Sequence, residues 1–154
     1  MNTKEVMTRK VITISADQTM TEAHHLMLAE GICHLPVVDE QNVVVGILNE
    51  RGIQRAMQIS KFSHYQQNNC LEAGLMVKDF MSWPVYFVSE STSVERVAEE
   101  MLSQDVSAFL VQDNLGVILG IVTNDDLLEH LNNYTLIDPT LMSIPGYFSE
   151  PQIA

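Results

Sequence analysis

Hydrophobic residues along the chain are grouped in blocks whose spacing alternates between a helical and a strand period. The first helical block begins at Thr19 and Glu22, which have capping-box spacing, and continues with apolar residues on one helix face. Two apolar runs follow, 35–38 and 43–48, separated by polar residues 40–42. Runs of this length around a turn predict two buried strands joined as a hairpin. The apolar positions of the helix face are Met20, Ala23, Met27 and Leu28.

The whole pattern occurs twice, with a constant offset of 74 residues. Residues 4–58 align with 78–132 without a gap. Self-similarity at a fixed period indicates a duplicated structural unit, here of about 55 residues. The positions of the first copy that keep their residue type in the second are Lys4, Met7, Val11, Ser15, Met27, Leu28, Val37, Asp39, Val43, Gly46 and Ile47.

Each copy predicts the element order β-α-β-β-α after a short lead-in. In the second copy, Thr92 and Glu95 have capping-box spacing for its first helix. A three-stranded sheet covered by two helices leaves its other face apolar, and so small a unit cannot bury both faces alone. We therefore predict an α/β (α+β) fold in which the copies pack face to face as a pseudo-two-fold pair with two equivalent clefts. The predicted lead-ins are 4–7 and 78–81, the first strands 11–14 and 85–88, the second strands 35–39 and 109–113, and the closing helices about 50–58 and 124–133.

The pattern divides the chain into repeat 1 (1–59), a linker (60–75), repeat 2 (76–133) and a C-terminal tail (134–154). The segment Ser60–Cys70 is polar and rich in Gln and Asn. The tail carries prolines, which argue against long regular structure there. It also carries apolar residues that suggest docking on the folded part: Leu136, Ile137, Leu141, Met142, Tyr147 and Phe148.

The charge balance excludes several classes of partner. The chain has a formal net charge of −12, and its eight Lys and Arg residues are scattered, with none after Arg96. Binding to nucleic acid or to an anionic membrane needs clustered basic residues, so neither is expected. No apolar run approaches the length of a membrane span, and Met1–Glu5 does not resemble the start of a signal peptide. We therefore expect a cytoplasmic protein in which Cys33 and Cys70 are reduced, although their spacing alone also permits a disulfide.

Recognisable catalytic or metal-binding motifs are absent from the sequence. There is no G-x-S-x-G, H-E-x-x-H, Walker or G-x-G-x-x-G pattern. Cys33 and His34 are adjacent on a predicted strand, so their side chains would face opposite ways. His24 and His25, adjacent on a helix, make a poor metal pair. We expect neither enzymatic activity nor a resident metal.

The most informative stretch is Gly120–Leu127, where an apolar strand meets the start of a helix. Free backbone N–H groups and the helix dipole favour an anion at such a junction. The Thr123 hydroxyl and the Asp126 carboxylate suit a phosphate and a sugar diol, respectively. The same two side chains can equally form a helix cap, and the two roles are compatible. The first copy carries Asn49 and Gly52 at these positions.

These features resemble the cystathionine β-synthase (CBS) domain family, in the tandem arrangement called a Bateman module. The resemblance covers about residues 5–133. In copy one it is carried by Val6-Met7-Thr8, residues 32–39 and Gly46-Ile47-Leu48. In copy two it is carried by residues 80–85 and 120–127.

The resemblance implies a regulatory module that binds AMP, ADP, ATP or S-adenosylmethionine between its repeats and signals to a partner. It also implies pairing of two copies into a homodimer, with no cofactor required. The alternative is a ligand-free scaffold for dimerisation or protein interaction. Asp125 and Asp126 can help to hold a magnesium ion that accompanies a nucleotide, or they can simply form a solvated helix start. The sequence leaves both interpretations open.

The family pattern also implies particular site residues. Its motif, Gly-apolar-apolar-Thr/Ser-x-x-Asp, assigns Thr123 to phosphate and Asp126 to ribose, with Asn124 and Asp125 between them. It assigns adenine to the stretch before the first strand of the same copy. The residues so implied for the adenine slot are Trp83, Pro84, Val85, Phe109 and Leu110.

Three site assignments remain open or secondary. Trp83 can stack on a base or simply flank Pro84, and His34 can contact ligand or pack in the core. Arg51 can reach a phosphate, but the repeat 1 motif lacks the acid. We therefore expect one competent site and one weak, altered or empty site. On this interpretation Asp126→Ala abolishes binding, while Gly52→Asp restores some binding at the other site.

Overall fold

The computed structural model describes residues 1–63 and 71–135. Repeat 1 and repeat 2 each form a three-stranded sheet with helices, in the predicted order β-α-β-β-α. The elements of repeat 1 are α1 (Thr3–Val6), β1 (Ile14–Ser15), α2 (Met20–Glu30), β2 (His34–Val38), β3 (Val44–Asn49) and α3 (Glu50–Ser63). Those of repeat 2 are a 3-10 helix (Val77–Asp79), β4 (Phe87–Ser89), α4 (Val94–Gln104), β5 (Ala108–Gln112), β6 (Ile118–Thr123) and α5 (Asn124–Thr135).

The two sheets have the same topology and the same irregularities. In each sheet the first strand is parallel to the second, and the second is antiparallel to the third. A register shift falls between Val37 and Val38 in one sheet and between Val111 and Gln112 in the other. The two shifts are 74 positions apart, so the duplication extends to backbone detail.

The faces opposite the helices pack against each other, as the apolar pattern predicts. Ile47 of repeat 1 and Leu110 and Ile121 of repeat 2 belong to one buried cluster, with Val11 and Val85 packed against it. Ile47 and Ile121 are equivalent positions, as are Val11 and Val85. This cluster is therefore an interface core on the pseudo-two-fold axis.

Each lead-in crosses to the other repeat, a feature that the sequence does not reveal. Thr8 pairs with Ile121 of repeat 2 through two backbone hydrogen bonds of 2.9 Å each. The equivalent residues, Ser82 and Ile47, form the same pair with distances of 2.8 and 3.0 Å. Met7 accordingly lies in the core of repeat 2. The exchange interlocks the two repeats.

A glycine in each third strand makes room for the crossing lead-in. A Cβ added at Gly120 would lie 2.8 Å from Met7 Sδ and 2.8 Å from the Thr8 carbonyl oxygen. A Cβ at Gly46 would lie 2.5 Å from Met81 Sδ. Both glycines are therefore required by close packing rather than by backbone conformation.

Several boundaries differ from the predicted ones. Helix α3 continues to Ser63, past the predicted end near residue 58, so the predicted linker begins inside a helix. The first strands start later than predicted, at Ile14 and Phe87. The predicted capping box at Thr19 is present, but α4 is capped by Ser93 and not by Thr92. Ser93 is the residue 74 positions after Thr19, so the cap follows the repeat.

Some predictions concern residues outside the described part of the chain. These are linker residues 64–70, including Cys70, and the tail from residue 136 onward, including its proposed docking residues. The division into two repeats, linker and tail thus stays a prediction. Within residues 1–63 and 71–135, no helix is long and apolar enough to cross a bilayer.

Candidate functional site

Two clefts lie between the repeats at equivalent places. The residues between each lead-in and the first strand, 8–12 in repeat 1 and 82–86 in repeat 2, are here called the approach stretches. The first cleft, here called the Asp126 cleft, is lined by Thr8, Lys10 and Ile12 of the repeat 1 approach and by three residues of repeat 2, Thr123, Asp125 and Asp126; its volume is about 190 Å³. The second, the Arg51 cleft, is lined by Ser82, Pro84 and Tyr86 of the repeat 2 approach and by Asn49, Arg51 and Arg55 of repeat 1; its volume is about 550 Å³. Subtracting 74 from Ser82, Pro84 and Tyr86 gives Thr8, Lys10 and Ile12.

Each cleft therefore combines the approach stretch of one repeat with the helix start of the other. The family resemblance implied that Trp83, Pro84 and Val85 face Thr123 and Asp126. The structure separates them, because the crossing lead-ins carry each approach stretch to the opposite repeat. Pro84 lines the Arg51 cleft.

The other residues expected in the adenine slot also have different surroundings. Trp83 is 76% exposed and lines neither cleft, while Val85 packs against the interface core. Phe109 is 3% exposed in the core of repeat 2, where its ring meets that of Tyr86 edge-on at 6.0 Å. Leu110 is fully buried in the interface core. Strand β5 thus supports the clefts without lining them at these two positions.

Thr123 and Asp126 form the helix cap that was one of the two roles considered. Thr123 directly precedes α5. Its backbone N–H and its hydroxyl donate to Asp126 Oδ2 at 2.7 and 2.9 Å, and Asp126 N donates back to Thr123 Oγ1 at 3.3 Å. These bonds hold the carboxylate in place at the cleft wall.

The second carboxylate oxygen points toward the crossing lead-in. Asp126 Oδ1 accepts a hydrogen bond of 3.3 Å from Thr8 Oγ1. A carboxylate has about four acceptor positions, so Asp126 keeps capacity for a ligand beside its cap. Thr8 was missed from the sequence, although a hydroxyl residue follows the lead-in methionine in both copies, as Thr8 and Ser82.

The equivalent position in the Arg51 cleft has no carboxylate. Asn49 Oδ1 accepts from Gly52 N at 3.2 Å, so Asn49 replaces the threonine as the cap of α3. A Cβ on Gly52 would lie 2.7 Å from Leu48 Cδ1 and 2.8 Å from the carbonyl oxygen of Phe80. Packing therefore excludes a side chain where repeat 2 has Asp126. The expectation that Gly52→Asp restores binding does not fit this packing.

His34 lies where the two clefts meet and lines both of them. Its Nε2 is 2.8 Å from Ser107 Oγ. Burial lowers the pKa of the His34 imidazole, while the nearby carboxylates of Asp125, Glu50 and Asp126 oppose that shift. The side chain can act as donor or acceptor toward either cleft, depending on its tautomer.

Cys33 lies close to the same meeting point. Its Sγ donates to Glu50 Oε1 at 3.3 Å. Burial raises the pKa of the Cys33 thiol, and the hydrogen bond and charge of Glu50 raise it further. A neutral thiol is a poor nucleophile, so the neighbourhood of Cys33 opposes a reactive role.

The helix starts place Asn124 and Asp125 differently. Asn124 lines the Arg51 cleft, whereas Asp125 lines the Asp126 cleft. In the described part of the chain, no three His, Cys, Asp or Glu side chains form a group able to hold a metal ion. Magnesium at Asp125 and Asp126 remains a prediction that depends on a bound nucleotide.

The architecture and its clefts define a class of protein. Two interlocked β-α-β-β-α repeats around two inter-repeat clefts are the arrangement of a tandem CBS domain pair. The family model of the CBS domain matches residues 4–59 and 77–133. The chain belongs to the CBS domain family, as a Bateman module.

Curated relatives are longer than this chain. Inosine-5'-monophosphate dehydrogenase of Methanocaldococcus jannaschii is 30% identical over 125 residues, which are 81% of this chain and 22% of that protein. L-aspartate semialdehyde sulfurtransferase of the same organism is 27% identical over 124 residues, 80% of this chain and 22% of that protein. The chain thus spans less than a quarter of each of these two relatives.

Solved structures share the fold. The CBS domain pair of protein MJ0100, in complex with 5'-methylthioadenosine and S-adenosyl-L-methionine, superposes with a TM-score of 0.72 at 25% identity; the match covers 87% of this chain and 98% of that one. A protein described as a putative acetoin utilization protein from Vibrio cholerae gives a TM-score of 0.67 at 23% identity, over 89% and 94% of the two chains. The second match supports the fold alone.

Proposed function

We propose that this chain is a regulatory ligand-sensing module that binds an adenosine-containing compound in the Asp126 cleft. The candidate ligands are AMP, ADP, ATP and S-adenosylmethionine. The observation that carries the proposal is the position of the Asp126 carboxylate, which is held by its own cap at the wall of a cleft between the repeats. The proposed role is binding without chemical conversion of the ligand.

The ribose diol is the part of the ligand that this geometry suits. The cap fixes Asp126 Oδ2, whereas Oδ1 has only the long hydrogen bond to Thr8 Oγ1 among the described residues. A vicinal diol supplies two donors that a carboxylate can accept together, as acidic residues do for ribose in dinucleotide folds. Because the carboxylate is already held in place, little side-chain freedom is lost on binding.

Among the candidate ligands, the charge of the cleft favours S-adenosylmethionine, which carries a sulfonium cation, over the anionic nucleotides. Asp125 and Asp126 both line it, and Lys10, its basic residue, is paired with Glu30 at 3.3 Å. The solved CBS domain pair with 5'-methylthioadenosine and S-adenosyl-L-methionine supports ligands of this kind. The cleft is smaller than the roughly 300–1000 Å³ of typical small-molecule sites. We therefore expect the exposed Lys10 side chain to move when the ligand enters.

Regulation follows from the fact that the cleft belongs to both repeats. A ligand that contacts Thr8 and Asp126 together favours one arrangement of the repeats, by no more than its differential affinity for the alternatives. A partner protein would sense that arrangement. We propose a second copy of the chain as one partner, because Leu28 and Leu102 occupy equivalent helix positions and are 68% and 85% exposed.

The proposal is tested by thermal shift and calorimetry with AMP, ADP, ATP, S-adenosylmethionine and adenosine. A ligand specific to the native state raises the melting temperature. We expect Asp126→Asn to weaken binding of the active compound by about 100-fold, the effect of losing hydrogen bonds to a charged group. The control is Glu129→Gln, which makes the same charge change one turn later on α5 at an exposed position.

Two results would contradict the proposal. The first is the absence of a thermal shift with every compound at millimolar concentration, which would favour the ligand-free scaffold. The second is unchanged affinity in Asp126→Asn. Light scattering on the same samples measures the proposed pairing, which Leu28→Glu with Leu102→Glu should abolish.

A further inference from the structure

His34 lies at the point where the cavities between the repeats meet. It lines both clefts and also a third cavity, of about 190 Å³, to which the starts of α3 and α5 contribute. The residue 74 positions later is Ala108, so repeat 2 has no titratable group at the equivalent position. The duplicated unit therefore places one imidazole at this junction.

The His34 ring is anchored through one of its two nitrogens. Its Nε2 is 2.8 Å from Ser107 Oγ of repeat 2. A hydroxyl can accept from Nε2–H, so this contact is compatible with the protonated ring, in which both nitrogens donate. Nδ1 makes no hydrogen bond to the part of the chain that the structure describes. In the tautomer with its proton on Nε2, His34 can therefore gain a second proton at Nδ1 and keep its contact with Ser107.

Carboxylates around His34 favour a positively charged ring. Four of them share cavities with it: Glu50 at the start of α3, Asp125 and Asp126 at the start of α5, and Asp105 directly after α4. Burial has the largest influence on the His34 imidazole and lowers its pKa, while Asp125, Glu50 and Asp126 oppose that shift. Two of these three carboxylates, Asp125 and Asp126, also line the Asp126 cleft.

Three basic side chains share cavities with His34 and oppose its protonation. Lys10 lines the Asp126 cleft but is paired with Glu30 at 3.3 Å. Arg51 and Arg55 line the Arg51 cleft and not the Asp126 cleft. On the side of the Asp126 cleft, the charge near His34 is therefore mainly that of the two carboxylates. The uncharged titratable side chains in these cavities are Cys33 and Tyr86.

We propose that a cationic ligand in the Asp126 cleft and a second proton on His34 exclude each other, so that pH regulates the occupancy of this cleft. Both positive charges would be stabilised by the same carboxylates, Asp125 and Asp126, inside a cavity of about 190 Å³, where like charges at short range repel. Linkage is reciprocal, so a proton that weakens ligand binding is expelled by the ligand by the same factor. This regulation rests on the proposed function of the Asp126 cleft as a nucleoside site.

The direction of the pH effect follows from the two states of His34. Burial lowers the pKa of the ring below its ordinary value of about 6.5, so the ring is neutral at pH 7 and does not repel a cation. As pH falls through the lowered pKa, the ring takes up a proton and the affinity for a cation falls, by at most about tenfold per pH unit for one proton. A neutral nucleoside has no competing charge and should be affected little.

The test compares S-adenosylmethionine with the neutral 5'-methylthioadenosine by titration calorimetry at pH 7.0 and pH 5.0, with EDTA present to remove divalent cations. We expect S-adenosylmethionine to bind at least about threefold more weakly at pH 5.0, and 5'-methylthioadenosine to change by less than about 1.5-fold. Titrations at pH 5.0 in two buffers of different ionisation enthalpy should show that S-adenosylmethionine releases protons on binding.

Two further measurements assign the effect to His34. His34→Gln should reduce the pH dependence of S-adenosylmethionine binding to that of the neutral compound and abolish the proton release. The control is His25→Gln, which removes an exposed histidine of α2 and should keep the full pH dependence. In the native protein, the NMR titration of the His34 ring should shift to lower pH when S-adenosylmethionine is bound.

The outcomes separate this regulation from the proposed function. Equal affinity for S-adenosylmethionine at the two pH values, the native pH dependence in His34→Gln, or an unshifted ring titration would overturn the regulation. If binding at pH 7.0 is still lost in Asp126→Asn, the proposed function stands without it. The absence of binding by both compounds at pH 7.0 would remove the proposed function and its regulation together.

Discussion

The Asp126 cleft and the Arg51 cleft have the same frame and different chemistry. In both, a lead-in crosses to the other repeat and pairs with its third strand, beside a glycine that the lead-in methionine covers. The difference is concentrated at two helix starts, where Thr123 and Asp126 correspond to Asn49 and Gly52. The backbone packing is the same in both clefts. A few residues at the helix starts determine the charge and the hydrogen-bond acceptors of each cleft.

The same comparison shows that the residues of the two helix starts are not interchangeable. Gly52 has no carboxylate, and the Phe80 carbonyl and the Leu48 side chain occupy the space that a side chain would need. Asp126 has kept its carboxylate and uses it in the cap of α5. Gly52 and Asp126 therefore each fit the packing around their own helix start.

The largest expected effect is at the crossing lead-ins. Met7 is buried in the core of repeat 2, whereas Met81 is half-buried against the core of repeat 1. We expect Met7→Ala to lower the free energy of unfolding by about 2–4 kcal/mol, and Met81→Ala to lower it by less. Urea denaturation measures both, with the 89% exposed Leu115→Ala as control. Equal small losses at Met7 and Leu115 would show that Met7 is not buried in a core.

The second effect distinguishes the two helix starts. Gly52→Asp should cost about 2–3 kcal/mol of unfolding free energy, because the new side chain meets backbone at 2.8 Å. It should not create adenosine binding in the Arg51 cleft. Gln58→Asp, at an exposed position of the same helix, controls for the added charge. A stable Gly52→Asp protein with a second nucleoside site would contradict the packing argument.

The third effect concerns the caps of the equivalent helices α2 and α4. Ser93 Oγ accepts from Arg96 N at 3.2 Å, as Thr19 Oγ1 does from Glu22 N. We expect Ser93→Ala to destabilise the protein by about 1 kcal/mol, and Thr92→Ala by less than about half of that. Thermal denaturation of the two variants makes the comparison. A larger loss of stability in Thr92→Ala than in Ser93→Ala would show that Thr92 caps α4. The cap would then not follow the 74-residue repeat.

The smallest effect is the pH dependence at His34. Burial lowers the pKa of its imidazole in the folded state. Below about pH 6.5, the ordinary value, the unfolded chain therefore binds more protons than the folded one. Stability should fall as pH decreases from 6.5 through the lowered folded pKa. Urea titrations at pH 7.5 and pH 5.5 should show a larger loss in the native protein than in His34→Gln, and identical losses would contradict the burial argument.

The fold was predictable because its signal is distributed over the whole repeat. Many apolar positions recur at a constant offset, so errors at single boundaries do not change the architecture. The α4 cap could not be assigned from the sequence, since Thr92 and Ser93 both offer a hydroxyl near the helix start. Only the structure shows which of them accepts the N–H bond.

The composition of each cleft was not predictable in the same way. Hydrophobic spacing shows that Met7 is buried but not which sheet buries it, so the crossing of the lead-ins could not be deduced. The predicted position of Pro84 beside Asp126 was consequently wrong, and Thr8 and Arg55 were not predicted as cleft residues. Helix-start residues such as Asp126 and Arg51 could be identified, because they follow an apolar strand in the sequence. This local pattern can be recognised without knowledge of long-range contacts.

Amide chemical-shift mapping with a bound adenosine compound tests the central claim most directly. If a ligand lies between the approach of repeat 1 and the helix start of repeat 2, the largest changes occur together at Thr8–Ile12 and Thr123–Leu127. Large changes at Trp83–Tyr86 with Thr123–Leu127, and none at Thr8–Ile12, would contradict the crossed arrangement of the cleft.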